Sequence, residues 1–355
     1  MSAVGTHGVE AAGRHPSAAP PPPPSSTPER PERPRARRRG APRWVSLLGW
    51  AVVVVEFGVL AAASSSFATP GNAASILSQA AVYAIAGFGL AIVVITGGDD
   101  VVRGGIDLSS GAVVAVSGVV AALVATAGGG APAAIAAALL VSAGFGALNG
   151  TVVVLGVSPL LVTLATGGIV TSVVYLATGN VKVPLDDAVF RWLRSGDLVG
   201  VPAPIVVLAV VAVVVGLAVG RTTWGVRSYA VGENPTAASV TGVGVWRYVA
   251  GSYVLSALLA GVAGIVLASR LAAAVPDVGE QILLDIVLTA YMSIVFSRRL
   301  VVTIGGTLVA AVFVAALVNG FTLLGIGSQW VGVVKGVLIL AVLALAAVRE
   351  RGLVR

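Results

Sequence analysis

The hydrophobic positions of this chain fall in long runs broken by short polar stretches, and few of them alternate as a half-buried strand would. A helix needs about 20 apolar residues to cross a bilayer. Ten runs approach or reach that length: 44–63, 73–96, 111–127, 132–155, 158–177, 203–220, 249–269, 281–297, 301–320 and 330–348. Each predicts a membrane helix, because a helix satisfies its backbone polar groups internally where no water is present. The fold class is therefore all-α, a polytopic membrane protein of about ten transmembrane helices. Residues 1–43 stand apart as a Pro-rich and then Arg-rich tail with almost nothing to bury, so disorder is expected there. The membrane domain is 44–349, with a polar excursion at 221–248, and 350–355 form the C-terminus.

Composition sharpens this picture by exclusion. The chain is 57% hydrophobic and 10% charged, against about 25% charged in soluble domains. It has no cysteine, and its two histidines, His7 and His15, both lie in the tail. A thiolate or histidine metal centre and a Ser/His/Asp or Cys/His catalytic set are thus excluded from the membrane core, and the chain has no GxxxxGK[ST] phosphate loop. No enzyme, cofactor or metal is expected. The net charge of +7 points at first to nucleic acid. Eight of the 22 Lys and Arg lie in the first 43 residues, however, so a positive-inside bias accounts for the excess and nucleic acid is not expected as a partner. With both termini cytoplasmic, the inner side carries the eight tail residues with Arg103, Arg221, Arg227, Arg247, Arg298, Arg299, Arg349, Arg351 and Arg355. The outer side carries Lys182, Arg191, Arg194 and Arg270. The cluster Arg35, Arg37, Arg38, Arg39 and Arg43 suits anionic lipid. Ala61-Ala62-Ala63 resembles a cleavage site, but the run before it has span length, unlike the ~7–15 residues of a secretory signal.

Two polar stretches carry most of the information. In Arg221–Val249, Asn234 can cap a short helix, Pro235 suits its first position and Glu233 lies near its positive end. Thr236 to Thr241 then gives fewer than two turns before Gly242. A helix this short persists only when packed on something, and a partner protein is one reading; a plain topology-setting loop is the other. In Ile95–Gly111, Gly97, Gly98, Gly104 and Gly105 with Asp99, Asp100, Arg103 and Asp107 interrupt two apolar runs. A structured re-entrant loop and an exposed turn are both open readings, and Asp107 and Ser109 can cap the next helix. DDAVFRWLRSGD in the outer loop 178–202 reads as a short interfacial helix. Ionisable residues within spans are functional candidates by default, which singles out Glu56, Asp285 and Lys335, the last two as a possible pair. Gln79, Asn149 and Asn319 can bond across helices or line a polar path. Gly87, Gly89, Gly144, Gly146, Gly261 and Gly264 read as helix contacts. Asn149-Gly150 before Leu155-Gly156 is echoed by Asn319-Gly320 before Leu324-Gly325, a hint of an internal repeat.

GGIDLSSGAVVAVSG resembles the GGIDLSVG signature of the ribose/xylose-type permeases of bacterial ABC importers. GALNGTVVVLGVSPLLVTLAT resembles that family's central Asn-Gly segment and Pro helix. GVRSYAVGENPTAASVTGVGVWR is similar to its cytoplasmic coupling loop, with ENPTAA in place of NEAA. YVLSALLAGVAGIVLASRL and VNGFTLLGIGSQWVGVVKGVLIL agree in order, so the likeness spans about 44–350. It implies a homodimeric, multi-pass subunit of the bacterial cytoplasmic membrane that imports a monosaccharide or related polar solute. The implied partners are an ABC ATPase on the cytoplasmic face, a substrate-binding protein outside, a second copy of the chain and the lipid bilayer. By the same resemblance Gly232, Glu233, Asn234, Pro235, Thr236, Ala237 and Ala238 would couple to the ATPase, and Gly104, Gly105, Ile106, Asp107, Leu108 and Ser109 form the signature loop. Two departures stand out. DDVVRG lengthens the turn before the signature, and VLTAYMSIVFSRRLVVTIGG after Asp285 replaces an expected Gly-rich segment. A proton-driven secondary transporter working through Glu56 or Asp285 is the alternative.

Overall fold

The structure, a computed structural model, describes residues 43–98 and 104–354. The Pro/Arg-rich tail up to residue 42, and Asp99, Asp100 and Arg103 of the lengthened turn, lie outside the described residues. All ten apolar runs are helical: α1 (Arg43–Ala63), α2 (Pro70–Gly97), α3 (Ser110–Thr126), α4 (Gly130–Val154), α5 (Pro159–Thr178), α7 (Ala203–Arg221), α10 (Val245–Arg270), α11 (Val278–Phe296), α12 (Ile304–Leu323) and α13 (Ser328–Val354). Among the described residues, α2, α4, α5, α7, α10, α11 and α12 are long and apolar enough to cross a membrane, whereas Gly49–Ala63, Ser110–Thr126 and Gln329–Ala344 are shorter apolar helices. Between them lie α6 (Ala188–Ser195), α8 (Thr223–Glu233) and α9 (Pro235–Val240).

Helix boundaries follow local capping chemistry. α2 starts three residues earlier than the hydrophobic run, because the Thr69 hydroxyl accepts from the Asn72 amide and Pro70 opens the helix. Thr303 does the same for the Gly306 amide and moves the start of α12 later than the apolar run. α6 is the short helix expected in 178–202, with Asp187 accepting from the Val189 amide at 3.0 Å and Phe190 and Leu193 turned inward. Four two-residue strands qualify the all-α expectation. β1 (Val183–Pro184) pairs antiparallel with β4 (Ala273–Ala274), and β2 (Asp197–Leu198) with β3 (Val201–Pro202). The first pair ties the α5–α6 connection to the α10–α11 connection, and the second is a hairpin at the start of α7.

Helix α2 is buried from Ala80 to Thr96 and packs against α10, α11, α12 and α7. Small residues make this possible: where lipid is the solvent, helices associate by close packing rather than by hydrophobic exclusion. Five of the six glycines named as helix contacts meet a neighbouring helix, but Gly144 faces open space. The packing has an internal pairing. α10 lies on α3 and α4 as α2 lies on α11 and α12, while α2 meets α10 and α3 meets α11. On that axis Gly111 and Gly279, each the second residue of its helix, stand backbone to backbone, and a Cβ on Gly279 would come within 2.8 Å of the Gly111 carbonyl oxygen. α4 and α12 also end in the same turn. Leu155 and Leu324 donate to Thr151 and Gly320, and Gly156 and Gly325 take positive φ of 97° and 68°. The two Asn-Gly pairs precede these turns one residue apart in register, and their asparagines meet different partners, Ser109 and Asn72.

Candidate functional site

The segment 104–110 enters the protein as irregular backbone and is not an exposed turn: Gly104, Gly105, Ile106, Asp107, Ser109 and Ser110 are all buried, and Leu108 nearly so. Non-helical backbone at membrane depth is tolerated where protein surrounds it. Here three helices satisfy it. Asp107 Oδ1 accepts from the Ser109 amide at 3.0 Å and from Ser109 Oγ at 2.6 Å, and Oδ2 accepts from Ser256 Oγ of α10 at 2.8 Å. Ser109 Oγ in turn accepts from Asn149 Nδ2 of α4 at 2.8 Å. The Tyr253 hydroxyl of α10 donates to the Ile106 carbonyl, and the Leu108 amide donates to Thr163 Oγ1 of α5. The expected cap on α3 is not made. Ser109 occupies the cap position without a side-chain bond to the helix, because its hydroxyl and the Asp107 carboxylate are committed to each other. Tyr253, Ser256 and Thr163 were not foreseen as partners.

Beside this knot lies a cavity of about 670 Å³. The end of α2 (Val93, Gly97), the loop (Gly104, Gly105), the α4–α5 turn (Gly156, Ser158) and the start of α10 (Trp246, Ser252, Tyr253) form its wall. Among the described lining residues there is no charged side chain; the polar groups are hydroxyls, the Trp246 indole and backbone.

A second polar cluster occupies the paired junction of α2, α11 and α13. Lys335 and Asp285 form the ion pair that their positions within spans made possible, with side chains 10% and 5% exposed. Tyr83 of α2 interacts with the same carboxylate and accepts from Gln79 Nε2 at 2.8 Å. Asn319 is elsewhere, in a reciprocal amide pair with Asn72 at 2.9 and 3.0 Å that pins α12 to the start of α2. Glu56 sits on the inward side of α1, its carboxylate oxygens buried with no hydrogen-bond partner among the described residues. None of Gln79, Asp285, Lys335, Asn319 and Glu56 lines the cavity.

At the cavity end of the bundle lies the short helix. Asn234 ends α8 and caps α9, accepting from the Ala237 amide at 2.9 Å, with Pro235 in the first helical position. α8 itself was not expected, since WGVRSYAVG lacks an apolar period. Glu233, Asn234, Pro235, Thr236 and Ala237 are exposed, and Val240 is 85% exposed. Ala238 stands apart from the rest of the expected coupling set: it is 5% exposed, its backbone closes the turn onto Val243, and it packs on its own chain. With only six residues, α9 has too little period for the sequence to show which side turns inward. Gly232, in the last turn of α8, lies against the Ile95 carbonyl at the end of α2.

A family model described as "Branched-chain amino acid transport system / permease component" matches residues 72–343. The ribose import permease protein RbsC of Bacillus subtilis is 32% identical over 307 residues, 84% of this chain and 90% of that protein. A Sinorhizobium fredii protein named "Probable ABC transporter permease protein y4mJ" is 33% identical over 276 residues, 76% of this chain and 79% of its own length. The L-arabinose transport system permease protein AraH of Escherichia coli is 30% identical over 195 residues, 55% of this chain and 60% of its own. No solved structure gives a significant match. The matched span takes in the loop knot, the cavity and the short capped helix together, and the chain belongs to the branched-chain amino acid transport system / permease component family.

Proposed function

We infer that this chain is the membrane subunit of a bacterial ABC importer for a monosaccharide or related neutral polar solute. The observation that carries the reading is the joining of two features at one end of the bundle. A short capped helix with an exposed outer side, α9, is joined to α8, whose last turn packs against the end of α2, and that end is also a wall of the cavity. α9 offers a partner ATPase a small, rigid surface in Asn234, Pro235, Thr236, Ala237 and Val240. Gly104 and Gly105 of the signature loop form one side of the pathway. Relatives named for ribose and L-arabinose support a sugar. So does the described lining, whose hydroxyls and Trp246 suit a polyol ring.

In this reading ten helices span the cytoplasmic membrane with both termini inside, and α8–α9 with the cavity lie on the cytoplasmic side. α6 and the β2–β3 hairpin lie at the other end of α7 and face outward. A second copy of the chain completes the channel, and a soluble binding protein delivers the solute. Uptake of labelled ribose, arabinose and leucine into cells expressing the chain with its ATPase and binding protein tests the solute class. Accumulation of a pentose with no accumulation of leucine is expected; the reverse would overturn the sugar assignment.

A further inference from the structure

We propose that movement of α8 and α9 reaches the cavity through backbone contacts at four glycines, with Gly97, Gly98, Gly105 and Gly232 acting as positioning residues for transport. This rests on the reading that α9 receives the ATPase. The contacts form a train. A Cβ on Gly232 would overlap the Ile95 carbonyl oxygen and come within 3.2 Å of the Gly98 amide nitrogen. From the other side, Gly98 has a φ of 89°, open to glycine at little strain, and a Cβ there would lie 2.9 Å from the Gly232 carbonyl oxygen. One residue back, a Cβ on Gly97 would overlap the Gly105 amide nitrogen, and one on Gly105 would overlap the Val93 carbonyl oxygen. Val93, Gly97 and Gly105 are cavity wall, and Ile106 and Asp107 just beyond are tied to Tyr253 and Ser256 of α10.

No side chain intervenes anywhere along this train. A side-chain contact can absorb a displacement by changing rotamer; carbonyl against Cα cannot, because close-packed backbone transmits strain. A shift of α8 therefore either carries the end of α2 and residues 104–107 with it or parts the two helices. Another tie of α8, Tyr229 Oη donating to the Val302 carbonyl at 3.2 Å, leads to the α11–α12 connection, which is not among the described residues of the cavity wall.

Hydrogen exchange on the full complex in lipid nanodiscs, with and without a non-hydrolysable ATP analogue, tests this in the unaltered chain. Nucleotide is expected to change exchange at 234–241 together with 93–98 and 104–110. A change at 223–241 that stops short of 93–98 and 104–110 would overturn the train while leaving the docking of α9 intact. No change at 234–241 would overturn the docking itself, and the train with it. As a second arm, Gly97→Ala should lower the solute moved per ATP hydrolysed; an unchanged ratio contradicts the proposal.

Discussion

At Asp107, a carboxylate buried inside a membrane bundle has three hydrogen-bond donors as its partners among the described residues. Replacing it with alanine leaves the Ser109 amide and the Ser256 hydroxyl without an acceptor, and each such buried donor costs roughly 1–3 kcal/mol. Asp107→Ala should therefore lower the thermal denaturation midpoint in detergent and reduce uptake, whereas Asp99→Ala and Asp100→Ala, outside the signature, should do neither. Equal tolerance at all three positions would remove the knot's claim to a role. Asp285 and Lys335 pose the opposite case, a buried pair of charges. Lys335→Met strands the carboxylate, an effect of about 3–5 kcal/mol for a buried pair. Adding Asp285→Leu should restore most of that stability, so the double variant melts above the single one. A double variant no more stable than Lys335→Met would show that the pair is not what the lysine serves. Glu56 has no hydrogen-bond partner among the described residues to lose, so Glu56→Gln should match or exceed the parent in stability and retain uptake.

Among the elements, the ten apolar helices were legible because run length reports on the thickness of the bilayer. α8 was not, because eleven residues lying along a surface need no sustained apolar period. The caps at Asn234 and Asp187 were readable from residue type, since the bond is local. The partners of the 104–110 loop were not, because Ser256 lies 149 positions from Asp107 and nothing in a single sequence brings them together. The ion pair fell between: two charges in spans ask for partners, and few were available. Ala238 shows the limit of reading a six-residue helix, and it changes the experiment. Ala238→Arg would force a long charged side chain into the α8–α9 packing and destabilise the loop. Ala237→Arg instead projects from the exposed side, so it should abolish co-purification with the ATPase while the membrane subunit keeps its yield and melting behaviour. Retained co-purification in Ala237→Arg would place the docking surface elsewhere.

The whole molecule combines a paired arrangement of helices with an asymmetric distribution of charge. The chain's natural lack of cysteine makes its orientation measurable with single replacements. Leu198→Cys, on the exposed β2–β3 hairpin, should react with an impermeant thiol reagent added to intact spheroplasts; Thr236→Cys, on α9, should react only after permeabilisation. The most direct test of the account is transport by purified components. Proteoliposomes would hold this chain with its ATPase, with binding protein and labelled pentose outside and ATP inside. The account predicts accumulation that requires ATP, the ATPase and the binding protein, and that is indifferent to a proton gradient. Accumulation by the chain alone, driven by a proton gradient without ATP, would contradict it.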